Sequence, residues 1–161
     1  MQTVYPNWPE DLRPEHSPVH TYDELTIRFE SQVIWAWLIR AELWPKWYPY
    51  WTEVKFLSHA GPDLKNGTVF TVKTSGLRIK TVVKDFVPFQ RLAWRGGALG
   101  TQGYHAWLIE RTAEGCKVIT EEAQKGLIPF IFRVFLKRTI HRRHRVWLTR
   151  LEEMCTKGLP Q

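Results

Sequence analysis

The feature that most limits this fold is one long amphipathic stretch at the end of a chain otherwise rich in strand signals. From Ile128 to Cys155 the apolar residues Ile128, Phe132, Leu136, Ile140, Trp147, Leu151 and Met154 recur at spacings of three, four or seven, with His144 in the gap and Pro129 in the first turn. This pattern predicts a single helix with one face on a core. Upstream, HTYDELTIRFE (20–30) alternates, with Leu25, Ile27 and Phe29 on one side. Further strands are expected at VKFLSH (54–59), TVFTVKTS (68–75), LRIKTVVKDF (77–86) and RLAWRG (91–96), and YHAWLIERTAEGCKVITEE (104–122) supplies two more as a hairpin. Ser31 can cap a short helix through Arg40, and Pro45 suits the first turn of another at WPKWYPYW. A seven-stranded antiparallel sheet has an apolar face too large to leave wet, and the terminal helix is the one long cover the sequence offers. One helix cannot fill a strongly curled sheet. The expected fold is therefore α+β: a seven-stranded curled antiparallel sheet wrapped around a long C-terminal helix, with two short helices between strands 1 and 2 and a cavity between sheet and helix.

With 161 residues the chain has the size of one domain, able to withdraw roughly 70% of its unfolded surface from water. Four of ten prolines (Pro6, Pro9, Pro14, Pro18) crowd the start, so residues 1–19 are expected to form an extended arm and residues 20–157 a single domain built around the cavity. The longest apolar run is VIWAWLI (33–39), short of the ~20 residues that span a bilayer. MQTVYPNWPEDLRPEH lacks the basic start and apolar stretch of a secretion signal. A cytoplasmic location is expected, with Cys116 and Cys155 as free thiols.

The strings VIWAWLIRAELWPKWYP, KNGTVF, VVKDFVPFQRLAW, YHAWLI, GCKVITEE and WLTRLEE, in that order over about residues 20–155, resemble the helix-grip domains of the SRPBCC superfamily, which includes START, Bet v 1 and polyketide-cyclase-like proteins. The resemblance implies a hydrophobic pocket for a lipid, polyketide, sterol or quinone. It implies no fixed activity, because one fold of this kind hosts cyclases, transfer proteins and regulators.

The 104–122 hairpin carries the candidate site. If Thr112 to Gly115 form the turn, His105 lies opposite Glu122, Trp107 opposite Thr120 and Ile109 opposite Val118, all on one face. The bulky apolar members assign that face to the pocket, which leaves Ala106, Leu108, Ile119 and Glu121 outside, an unusually apolar exterior. A carboxylate and an imidazole in an apolar concavity should satisfy one another. Three uses are open for such a pair: structural pairing, a polar anchor for a ligand carbonyl or hydroxyl, and general acid–base catalysis by His105 and Glu122. His144 could complete a two-histidine, one-carboxylate metal site, but it fits a core residue of the helix stripe better, and no metal or other cofactor is expected. The ligand-binding set is Tyr48, Phe70, Trp94, His105, Trp107, Thr120, Glu122, Leu136, Ile140 and His144, with Trp94 and Trp107 suited to stacking on a flat ligand. Trp35, Trp37, Trp44, Trp47 and Trp51 are read as core.

The net charge of +7 is concentrated: from Gly126 to Lys157 there are eight Lys or Arg against two Glu, a net of +6. Arg133, Lys137, His141 and Arg145 fall on one helical stripe, read as a solvated face that could also touch an anionic membrane surface peripherally. Nucleic acid is not expected, since nothing matches a nucleic-acid-binding signature. GGALG (96–100) is a turn with no helix after it, and serine-nucleophile and HExxH patterns are missing. Two functions follow: a module that binds a small hydrophobic or amphipathic molecule, for transport or sensing, and a cyclase or dehydratase using His105 and Glu122.

Overall fold

The computed structural model describes residues 5–161; the first four residues of the expected arm lie outside them. The elements are β1 (Val19–Ile27), α1 (Ser31–Ile39), α2 (Trp44–Trp47), β2 (Glu53–Phe56), β3 (Val69–Thr74), β4 (Leu77–Val87), β5 (Arg91–Ala98), β6 (Thr101–Thr112), β7 (Gly115–Lys125), α3 (Leu127–Ile131) and α4 (Arg133–Cys155). The strands form one antiparallel sheet in the order β1-β7-β6-β5-β4-β3-β2. Alternation and short turns bring neighbours together from β3 to β7, a longer loop over 57–68 joins β2 to β3, and α1 and α2 carry the chain from one sheet edge to the other. Helix α4 packs against β1 and α1. This is the helix-grip architecture that the ratio of strands to helix requires.

Local chemistry accounts for the departures from the expected boundaries. The α2 helix stops at Trp47 because Tyr48 precedes Pro49 and takes an extended backbone (φ −106, ψ 109). Ser31 is the first residue of α1 rather than its cap, and its Oγ accepts a hydrogen bond from Arg111 Nε. The terminal helix is two helices, broken where Phe132 leaves helical backbone geometry (φ −100, ψ 21). Its apolar stripe meets the core at Ile140, Trp147 and Leu151, whereas Ile128 and Phe132, at the start, are exposed. In GGALG only Leu99 and Gly100 turn, both with positive φ (51 and 74), while Gly96 and Gly97 stay in β5.

The arm is not simply extended. It contains single turns of 3-10 helix at Glu10–Leu12 and Pro14–His16, and it covers the outer face of the sheet. Leu12 is fully buried and, with Trp8, packs on Ala93, Tyr104 and Ala106. Tyr104 Oη donates to Asn7 O at 2.9 Å, and Asp11 pairs with Arg95 and Lys125. The apolar exterior of β6 is thus a second small core under the arm.

Within the grip, rings from α2, the following loop, the sheet and α4 interlock. Tyr48 stacks on Trp147 with centroids 4.2 Å apart, Trp51 meets Trp147 at 4.7 Å, Trp107 meets Trp147 at 5.0 Å, and Trp44 meets Trp94 at 5.5 Å. This aromatic mass fills the end of the concavity nearer Ile109. It leaves the other end, nearer Thr101, to the site described next.

Candidate functional site

A cavity of about 300 Å³ lies between the sheet and α4 at the Thr101 end, open on one side. Its floor follows from sheet register. Glu122 faces His105 and His105 faces Trp94, so three inward side chains form a row across β7, β6 and β5. In the next inward row Gly103 lies between Gln124 and Gly96, with Thr81 beyond. Two adjacent glycines leave the sheet bare there, and the space a pair of side chains would take is part of the cavity. A Cβ on Gly103 would meet nothing closer than 3.6 Å, whereas one on Gly96 would press on Thr81 Oγ1 at 2.8 Å. The opposite wall comes from Leu136, Ile140, Arg143, His144 and Trp147 of α4, and Tyr48 closes the inner end.

His105, Glu122 and His144 form the polar wall, and they belong to a chain of alternating imidazoles and oxygen groups that continues behind it. His141 Nδ1 lies 2.9 Å from Asp23 Oδ2, and the same oxygen lies 3.3 Å from His144 Nδ1. His144 Nε2 is 3.3 Å from Glu122 Oε2, which is 3.7 Å from His105 Nδ1. His105 Nε2 is 2.7 Å from Thr120 Oγ1, and the rings of His105 and His144 stack at 4.8 Å. The Asp23–His144 contact lacks the alignment of a full hydrogen bond, so charge carries it. His141 is therefore tied to the sheet edge rather than free on a solvated stripe.

These contacts separate the protonation states. Burial pushes the His105 ring down to about 3, with Glu122 opposing the shift and His144 adding to it. Burial would also lower His144, but the carboxylates of Asp23 and Glu122 beside it outweigh that and raise it. Glu122 would be raised by burial, yet the hydrogen bond from His144, the two imidazoles and Gln124 hold it well below the usual range. Near neutral pH the wall thus presents a Glu122 carboxylate and a neutral His105, with His144 between two carboxylates that favour its charged form. Burial raises the Tyr48 phenol, which stays protonated as a hydroxyl on the cavity wall.

Of the residues singled out in the sequence as ligand-binding, Tyr48, Trp94, His105, Glu122, Leu136, Ile140 and His144 line the cavity. Phe70, Trp107 and Thr120 do not. Phe70 is fully buried between Trp44 and Phe56, Trp107 is fully buried against Trp147, and Thr120 is hidden beneath His105 as its hydrogen-bond partner. Sequence reasoning missed Gly96, Gly103, Gln124 and Arg143, and it missed the role of Asp23. Gly96 was read as part of the GGALG turn and Gly103 was given no role, although strand alternation through His105 places Gly103 inside. Ring nitrogens of His105 and His144 and a Glu122 oxygen lie within 4.8 Å of one another, within reach of a single cation. A cation would have to displace the His144–Glu122 contact, so the donor set favours that contact over a metal.

Comparison with known proteins places this geometry in a family. The family profile described as polyketide cyclase / dehydrase and lipid transport matches residues 18–155. The chain belongs to that family. Solved structures similar to this family member include a hypothetical protein from Helicobacter pylori, at 25% identity and a TM-score of 0.85, covering 95% of this chain and 98% of that one. The di-domain aromatase/cyclase StfQ of the steffimycin biosynthetic pathway matches at 16% identity and TM-score 0.74, over 86% of this chain and 51% of its own. The Zhui aromatase/cyclase from Streptomyces sp. R1128 matches at 13% identity and TM-score 0.68, over 83% and 91%. At such identities the two aromatase/cyclases share the fold with this family member. A search of curated proteins gives no significant match.

Proposed function

We propose that this family member binds a compact hydrophobic or amphipathic small molecule in the glycine-floored cavity, with the ligand's polar group against Glu122 and His105. The observation that carries the reading is the pairing of a mostly apolar cavity with a few convergent polar groups at one wall, the usual form of a small-molecule site. A volume of about 300 Å³ sits at the small end of the roughly 300–1,000 Å³ range of such sites. A ring system or short acyl chain suits it better than a two-chained lipid. Trp94 offers an aromatic ring, Tyr48 a hydroxyl donor, Arg143 a cation, and Glu122 an acceptor. A carboxylate already bonded to His144 is pre-organised to accept from a ligand hydroxyl without a new ordering cost.

The second reading is a cyclase or dehydratase, favoured by the similarity to aromatase/cyclases. In it, His105 and Glu122 would take and return a proton beside a ketone. Their environments count against this, because a general base works best with a conjugate acid near the operating pH, and both groups are held far below it. A cytoplasmic setting belongs to the proposal, and the buried free thiols of Cys116 and Cys155 suit a reducing compartment.

Native mass spectrometry of protein extracted mildly from cells tests the reading. The wild type should carry a small-molecule adduct, and Gly103→Leu, which fills the cavity, should not. Bare protein in both, or the same adduct in both, contradicts it. His105→Ala and Glu122→Gln separate the two readings: retained binding with lost turnover of a polyketide-like substrate favours the enzyme.

A further inference from the structure

The segment joining the sheet to the long helix is apolar, exposed and cationic at once. Leu127, Phe130, Ile131, Phe132, Val134 and Phe135 are each between 53% and 72% exposed. They fall within nine consecutive residues on α3 and the first turn of α4, so they form one prow rather than scattered surface residues. A patch of this kind on a lone chain marks a contact surface. The helical periodicity does not explain it, because the stripe that meets the core begins only at Ile140.

The charges around the prow identify the partner. From Gly126 to Arg145 there are six Lys or Arg and no Asp or Glu, and Arg133, Lys137, Arg138 and Arg142 are exposed. Arg133 also lies over the Phe130 ring at 5.7 Å, which holds cation and aromatic side by side. A second copy of the chain would bring the same excess of positive charge face to face, so self-association is opposed. A phosphodiester backbone would meet the cations and leave the six apolar side chains without a partner. An anionic bilayer surface satisfies both, since its headgroups take the cations and its acyl boundary takes the aromatics.

We propose that α3 and the first turn of α4 form a membrane-docking prow that inserts into an anionic lipid surface. The cavity opens at the same place: Ile128 and Leu136 of this segment line it, as does Leu99, 69% exposed on the facing β5–β6 turn. A docked chain would present its cavity mouth to the acyl boundary, so that an apolar ligand could pass without crossing water. That consequence rests on the ligand-binding reading; the docking itself does not.

Sedimentation with phosphatidylcholine vesicles, with and without phosphatidylserine, tests the docking. The wild type should sediment with the anionic vesicles and stay in solution with the neutral ones, with added salt weakening the binding. Phe130→Glu with Phe135→Glu should lose roughly tenfold or more in affinity, and Lys137→Glu with Arg138→Glu at least about fivefold per residue. Neither pair lines the cavity, so ligand adducts in native mass spectra should persist in both variants. Thermal unfolding should be unchanged, because these side chains are already in water. Absence of binding to anionic vesicles, equal binding by Phe130→Glu/Phe135→Glu, or a wild-type dimer that this variant converts to monomer would overturn the proposal.

Discussion

His144 Nε2 on α4 lies 3.3 Å from Glu122 Oε2 on β7. This contact ties the helix to the sheet at the wall of the cavity, and it sets which groups there are charged. Removing one partner of a buried pair costs about 3–5 kcal/mol, because the other charge is left behind. Glu122 keeps some contact with the cavity, and His144 retains Asp23, so the cost should fall toward the low end of that range. Urea denaturation should therefore show Glu122→Ala destabilised by about 3 kcal/mol, and Glu122→Gln, which keeps an acceptor, by less. Equal stability of all three proteins would contradict the ion pair.

The same cluster gives stability a definite pH dependence. His144 has a folded pKa above its unfolded value near 6.5, so its contribution is complete below that value and fades as pH rises through the raised one. His105 is the reverse: its folded pKa of about 3 lies below 6.5, so folding loses stability as pH falls from 6.5 toward 3. Glu122 adds to the acid loss, since its contribution is complete above 4.5 and declines as pH falls toward about 2. Thermal midpoints measured against pH should fall on both sides, and His105→Gln should flatten the acid side. An unchanged acid slope in that variant would show that His105 is not buried neutral.

Two glycines that look alike in the sequence should respond oppositely. Gly103 has an ordinary backbone and open space before it, so Gly103→Leu should fold and lose ligand. Gly126 has φ +126, and its added Cβ would lie 2.2 Å from Gly100 O. Gly126→Ala should lower the thermal midpoint through backbone strain and the clash. Denaturation curves of the two variants check both outcomes.

The arm is structural as well as covering. Leu12 is fully buried against Ala93, Tyr104 and Ala106, so Leu12→Ala should cost about 2 kcal/mol or more in chemical denaturation. A stability unchanged by this substitution would mean that the arm leaves the sheet in solution.

Much of the fold was legible because strand alternation and helical spacing are local signals. The hairpin register pairing His105 with Glu122 follows from a turn at Ala113 and Glu114 and needs nothing distant. The partners of that pair were harder to read, because Asp23 reaches His144 only through the pairing of β1 with β7, across about a hundred residues of chain. Trp107 was expected at the ligand because it shares a face with His105. A face contains both cavity and core, however, and the aromatic rings of α2 and Trp147 decide where one becomes the other. The exposed start of the terminal helix carries the same periodicity as its buried part; where the sheet stops beneath it is a property of the assembled fold.

The central claim is that the glycine floor beside His105 and Glu122 receives a ligand. It is tested most directly by titrating 2-naphthol, a compact amphipathic ring system, into isotope-labelled protein and following backbone amides by NMR. The account predicts saturable shifts at Gly96, Gly103, His105 and Gln124 that vanish in Gly103→Leu. Shifts confined to Leu127–Phe135, or unchanged in that variant, would contradict it.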